Sequence, residues 1–260
     1  MKIDCLMGTY GRHALASEAL ACFLQQSAIS QATLLIYNQH PVALNFEHPR
    51  VRIVNEAPPT GSLRFIRRRM LDLADPLADL IHFWDDDDLY LPWHLEDCLQ
   101  HINTSVAWKP TSCWMSEQNV TFSRHKNTFE GSWVFRADYL RVAPLHTHPT
   151  YTDHPVFRQT VEAGLLTTTE LGAATSYIYR WANGGEHLSA IGQVGETQGG
   201  KTEDVQRRDI RVWRSRSNDV RAGGRLVPTD LAPRWLAYLD GIRASVSYEE
   251  WERNREWLDL

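Results

Sequence analysis

The sequence predicts an α/β protein with a mixed, mostly parallel central sheet flanked by helices and a short helical, arginine-rich appendage, and three observations carry that prediction. Short apolar or β-branched runs alternate with segments of helical period through the first hundred residues. Three of those runs end in polar residues: "GTYGR" (8–12), "YNQ" (37–39) and "DDDD" (85–88). From about residue 202 the chain becomes basic and then amphipathic.

The elements follow in order. "KIDCLM", "ATLLIYNQ", "RVRIVNE" and "DLIHFWD" read as strands, and "HALASEALACFLQQ" and "LRFIRRRMLDLAD" as helices, which makes residues 1 to about 100 Rossmann-like. Ligands of such sheets sit beyond the carboxyl ends of the strands, so the three polar ends outline a site, with a nucleotide as the usual occupant. From about 105 to 180, "TSCWMSE", "NVTFSR" and "GSWVFRADYL" read as extended, "DHPVFRQTVEAGLL" as a helix and "TSYIYRW" as a strand. This portion is expected to extend the sheet and shape a second pocket. The glycine-rich 183–201 segment reads as a long loop. In the tail, residues 207–225 hold seven arginines against two aspartates, while Tyr248, Trp251, Arg255 and Leu258 share one helical stripe expected to pack on the body.

The composition narrows the class. A chain of 260 residues, 43% hydrophobic and 23% charged, has enough apolar residues for one sizeable core. A net charge of -5 argues against wholesale nucleic-acid affinity. Four cysteines without a C-x-x-C pair suggest reduced thiols, and no run reaches the ~18 apolar residues of a membrane span, so a cytoplasmic location is expected.

The run "HFWDDDDLYLP" (82–92) places four carboxylates after an apolar strand. Like charges so close repel by ~1 kcal/mol per pair in water and ~4 kcal/mol near a protein surface, so a positive partner is required. If the strand stays extended, Asp85 and Asp87 share one face and Asp86 and Asp88 the other. Magnesium and similar hard cations bind one or two carboxylates together with substrate phosphates, so Asp85 and Asp87 form a candidate metal–diphosphate platform. Asp88 could instead cap a helix beginning near Pro92. No EF-hand ligand loop is present, and from the acids alone a two-metal polymerase or nuclease site stays open.

Taken together, "GTYGR", "LLIYNQ", "GSLRFIRRRMLDLAD" and "IHFWDDDD" resemble the signatures of glycosyltransferases of the GT-A fold, family 2 type, over about residues 3–190. The resemblance implies a catalytic domain over 1–200, with a nucleotide-binding half (1–100) and an acceptor-side half (101–200), and an appendage over 201–260 packed on it. It implies that Thr9, Tyr10 and Arg12 border the nucleotide, Asn38 lies near the base or ribose, Asp85 contacts the ribose or sugar, and Asp87 holds Mn²⁺ or Mg²⁺ against the diphosphate of a nucleotide-sugar, UDP-linked by preference. Arg67 falls where the family's arginine neutralises the leaving group. Surface charge is its competing reading, because Arg68 and Arg69 stand beside it. Asn38 replaces the family's usual acid, and Arg68 its usual Asn.

"EGSWVFRADYL", with Glu130 and Trp133, is similar to the family's acceptor-side strand. "YTDHPVFRQTVEAG" occupies the place of its E-D-x-x-x-x-R-x-x-x-x-G segment, which makes Asp153 the general base of an inverting transfer. Asp153 also precedes His154-Pro155 at a predicted helix start, where an N-cap role is compatible. "YRWANGGEHLSAIG" resembles the carboxyl-terminal loop in which a histidine completes the metal or diphosphate site, and His187 is that candidate. The implied activity is sugar transfer to a hydroxyl of a glycan or another compound. One alternative acceptor is hydroxymethylated DNA, as in phage modification enzymes, with Arg207, Arg208, Arg211, Arg214 and Arg216 as phosphate contacts. A non-catalytic nucleotide-sugar-binding module or a nucleotidyltransferase are the alternatives of another class.

Overall fold

The structure is a computed structural model and describes residues 1–56, 63–117, 121–142, 154–181, 224–228 and 232–253. Asp153, His187 and the five candidate arginines of 207–216 lie outside the described residues.

The first half follows the predicted alternation: β1 (Ile3–Thr9), α1 (His13–Leu24), β2 (Ala32–Asn38), β3 (Val51–Asn55), α2 (Leu63–Leu73) and β4 (Leu80–Phe83). Strands β1 to β4 pair in parallel, with β1 in the middle and β2 and β4 on its two sides. The strand order therefore reverses at β1–β4, and the crevice beyond their carboxyl ends is where a doubly wound sheet binds its ligand. Along β1 to β4 the side chains alternate between two cores. Cys5, Met7, Leu34, Ile36, Leu80 and Trp84 face α1, and Leu6, Leu35, Tyr37, Ile81 and Phe83 face α2. Helix α1 is buried nearly all round, as the apolar sequence "HALASEALACFL" requires of a helix covered on several sides.

The second half consists of β5 (Leu89–Tyr90), α3 (His94–His101), β6 (Ala107–Pro110), β7 (Ser112–Glu117), β8 (Thr121–Lys126), β9 (Val134–Arg136), α4 (Ala137–Val142), α5 (His154–Glu162), β10 (Leu166–Thr169) and β11 (Tyr177–Trp181). The main sheet runs β10-β6-β9-β4-β1-β2-β3, with β9 antiparallel to both neighbours. A second sheet, β5-β11-β7-β8, covers the α1 side. The predicted extended piece "GSWVFRADYL" is corrected here. Its strand is only three residues, because Arg136 turns its guanidinium onto the Ser105 and Asn103 carbonyls and the chain enters α4 at Ala137. Helix α5 stops at Glu162, and Gly164 at φ +66 takes a left-handed turn that sends Leu166 into β10.

Two further helices, α6 (Ala232–Ala244) and α7 (Tyr248–Arg253), rest against β8 and its surroundings. Tyr238 meets the Phe122 ring at 5.7 Å, Ser245 donates to the Phe122 carbonyl, and Arg124 pairs with Glu250. Among the described residues, no helix is long and apolar enough to cross a membrane.

Candidate active site

The acid run begins where β4 ends. Its residues leave the strand geometry at Trp84, and Asp86 and Asp87 occupy a turn, so strand alternation does not reach them. The parity survives all the same: Asp85 and Asp87 keep side-chain exposures of 31% and 13%, whereas Asp86 and Asp88 are buried at 2% and 1%. Each of the four acids has a different set of partners.

Asp86 accepts an ion pair from Arg12, whose other terminal nitrogen reaches Asp87 at 2.7 Å. Arg12 sits at the amino end of α1, just after Gly11, whose φ of +64 turns the chain out of β1. Burial pulls the Arg12 pKa down, but Asp86 and Asp87 outweigh it and hold the guanidinium charged. For Asp86 the balance runs the other way: burial, only partly countered by Arg12, pushes its carboxyl up to about 6. Thr9 is buried beside it.

Asp85 takes Arg67 from α2 at 3.2 Å, and that guanidinium lies over the Phe83 ring at 4.3 Å. The Asp85 backbone N–H donates to the Tyr90 hydroxyl at 2.8 Å, which in turn donates to the Gly131 carbonyl. A Cβ at Gly131 would stand 2.4 Å from Asp85 Oδ2 and 3.0 Å from the Tyr177 hydroxyl. Only glycine lets the Glu130–Ser132 turn approach the acid this closely. Asp88 does not cap α3, whose N-cap is Trp93. It accepts the Tyr177 hydroxyl at 2.5 Å and the Arg180 backbone N–H at 3.1 Å, tying the run to β11. Arg180 donates to the Asp87 carbonyl at 2.6 Å and forms a fully buried pair with Glu18 of α1 at 2.5 Å.

The arginines of α2 are not redundant. Arg67 points to Asp85, Arg68 pairs with Asp72 one turn on, and Arg69 pairs with Glu56 beyond β3. Tyr10 is half-buried at the rim, with its ring edge-on to His40 at 5.2 Å. Two expectations need correction. Asn38 is fully buried, and its amide bonds Val42, His40 and Asn55, so it shapes the 39–44 loop and offers no exposed group to a base or ribose. Trp133 is 4% exposed and packs on Phe135 and Phe157 in the α2-side core, so its ring is closed to an acceptor, whereas Glu130 stays half-buried in the turn beside Asp85.

Sequence reasoning missed Glu18, Arg180, Tyr90 and Tyr177. A signal existed for the first two: one acid alone in the apolar helix "HALASEALACFL" and one arginine alone in the apolar strand "YIYRW" are opposite charges that need each other once buried.

Asp85 and Asp87 are the partly exposed acids of the run, with their backbone held by Tyr90 and Arg180 and their carboxylates paired with Arg67 and Arg12, and carboxylate oxygens are the ligand type that a hard divalent cation takes.

No protein-family model matches the chain, and no curated protein matches it in sequence. Solved structures do match. The crystal structure of S. aureus TarS aligns over 100% of this chain with a TM-score of 0.53 at 13% identity, and the chain spans about half, 52%, of that protein. TarS 1-349 in complex with UDP-GlcNAc aligns over 96% of this chain and 83% of its own, at 0.54 and 13%. The mannosyltransferase PcManGT from Pyrobaculum calidifontis, in complex with GDP-Man and Mn2+, aligns over 98% and 79%, at 0.53 and 12%. The fold of this chain is the GT-A glycosyltransferase fold.

Proposed function

We propose that this chain is a metal-dependent glycosyltransferase that moves a sugar from a nucleotide-diphosphate donor to an acceptor hydroxyl, with inversion at the anomeric carbon. The observation that carries the reading is the pair Asp85 and Asp87, partly open at the β1–β4 reversal point with Arg67 beside them. Structural neighbours that hold UDP-GlcNAc, or GDP-Man with Mn2+, support the donor class and the cation.

In this reading Asp87 and His187 would hold Mn²⁺ or Mg²⁺, which would supply charge neutralisation at the diphosphate, and Asp85 would contact the ribose or sugar of the donor. Arg67, stacked on Phe83 and steered by Asp85, faces the negative charge that builds on the leaving group. Arg12 holds Asp87 in place and Tyr90 fixes the Asp85 backbone, so the ligand oxygens need no rearrangement before the donor arrives. The acceptor, a glycan or other hydroxyl compound, approaches from the Glu130 side. Asp153 deprotonates its hydroxyl, a step worth ~10²–10⁴-fold.

The test is release of nucleoside diphosphate from a panel of nucleotide-sugars with Mn²⁺, for the wild type and for Asp85→Asn/Asp87→Asn. Loss of release is expected in the double variant, assayed at a temperature at which its thermal melt shows it still folded, since Arg12 and Arg67 lose carboxylate partners in it. Undiminished release, or pyrophosphate as product, refutes the transferase mechanism.

A further inference from the structure

We propose that Cys5, His82, His94 and Cys98 form a buried zinc site beneath the acid run, separate from the oxygen site at Asp85 and Asp87. The four residues come from three elements: Cys5 from β1, His82 from β4, and His94 and Cys98 from α3. His94 and Cys98 are one helical turn apart, hence on one face. His82, His94 and Cys98 already bring one ligand atom each to within 4.8 Å of one another. The two Nε2 atoms stand 2.8 Å apart, and His94 Nε2 lies 3.9 Å from the Cys98 Sγ. Cys5 is the register partner of His82 across β1–β4 and lies in the same core as Trp84 and Cys98. Burial raises its thiol pKa, and Cys98 is near enough to add to the rise.

The chemistry of the surroundings fits a ligand set. Ser176 Oγ donates to Asp97 at 2.6 Å, so it accepts at 3.0 Å from the Nδ1–H of His94. That relay leaves Nε2 of His94 as the unprotonated nitrogen, aimed into the cluster, in the manner in which outer partners orient metal-bound imidazoles. Zinc with N ligands at ~2.0–2.1 Å and S ligands at ~2.3 Å sets ligand atoms roughly 3.3–3.6 Å apart. The observed 2.8 and 3.9 Å bracket that range, so the rings need to part by about half an ångström. On binding, each thiol releases its proton to solvent, and two thiolates with Zn²⁺ make a neutral unit. Neutrality matters here, because all four residues are fully buried among Trp84, Tyr90 and Tyr177. The competing arrangement is a plain hydrogen bond between two imidazoles with the thiols as bystanders.

The full chain, produced without a polyhistidine tag in zinc-supplemented medium and dialysed against EDTA, is assayed for metal by elemental analysis. About one zinc per chain is expected for the wild type and for Asp85→Asn/Asp87→Asn, and loss of it in Cys98→Ser. The wild type refolded with Co²⁺ is expected to show a thiolate-to-cobalt charge-transfer band and the intense visible bands of a tetrahedral ion, with the sulfur band halved in Cys5→Ser. These spectra need no variant that fails to fold. A wild type that yields all its metal to EDTA, a cobalt form without the sulfur band, or zinc that survives Cys98→Ser overturns the proposal.

Discussion

Replacing Arg12 by methionine removes the guanidinium but keeps an apolar stem, and its cost follows from where the partners sit. Asp86 is 2% exposed and Asp87 13%, and Arg12 itself is 8% exposed. Breaking one side of a buried pair leaves an uncompensated charge and costs about 3–5 kcal/mol. For a chain of this size that corresponds to a fall in Tm of roughly 6–20 °C. The loss should depend on pH in a definite direction. Folding already raises the Asp86 pKa from 3.8 to about 6, with burial as the main cause and Arg12 as the main brake. Without Arg12 the folded-state value rises further while the unfolded value stays put. The folded state then binds the Asp86 proton more tightly, so the penalty is full at neutral pH and fades as acid protonates the buried carboxyl. Urea melts of wild type and Arg12→Met at pH 7.5 and pH 5 read the difference directly. A gap that narrows at pH 5, and that Arg12→Met/Asp86→Asn partly closes at pH 7.5, supports the buried pair. A gap below about 1 kcal/mol at pH 7.5, or one of equal size at both pH values, would falsify this account of Asp86.

Gly131→Ala drives a methyl group into Asp85 Oδ2, and overpacking of this kind costs about 1–3 kcal/mol; calorimetric titration with nucleotide-sugar should show donor affinity falling further than the melt does. Glu18→Gln strips the buried Arg180 of its carboxylate and should cost about 3–5 kcal/mol by chemical denaturation, unless a second change, Arg180→Met, removes the stranded charge as well. Lys109 lies half-buried over the Trp133 ring, and desolvation there lowers its pKa from 10.5 to about 8. Between those two values the unfolded chain holds the proton and the folded chain has lost it, so stability should rise from pH 8 towards pH 10, and Lys109→Met should flatten that slope.

The strand and helix pattern of residues 1–83 was legible because β1, β2 and β4 are covered on both faces, α1 is apolar nearly all round and α2 carries an apolar stripe. The second half was harder for a physical reason. Strands such as β5, with two residues, and β9, with three, are held by neighbours distant in sequence and carry almost no periodicity of their own. The site was legible as a place, the carboxyl end of β4 beside that of β1, but not as a network. Asp86 and Asp88 look identical to Asp85 and Asp87 in the sequence, and only the turn at 86–87 decides which of them meet Arg12 and Tyr177. Asn38 was given to the nucleotide because of where its strand ends, whereas Asn55 on the adjacent strand claims its amide.

The buried pair Glu18–Arg180 has a consequence for how the site meets its ligands from a distance. Among the described residues Glu18 and the four aspartates face Arg12, Arg67 and Arg180, with Glu130 beside Asp85, so acids outnumber guanidiniums and leave the kind of negative excess that a divalent cation offsets. A diphosphate arriving alone meets net repulsion, and a cation arriving alone meets a field that three guanidiniums have already reduced. The two arriving together meet neither barrier. Donor capture should therefore follow the concentration of the cation–diphosphate complex, and its rate should change little with ionic strength, because the complex carries little charge for salt to screen.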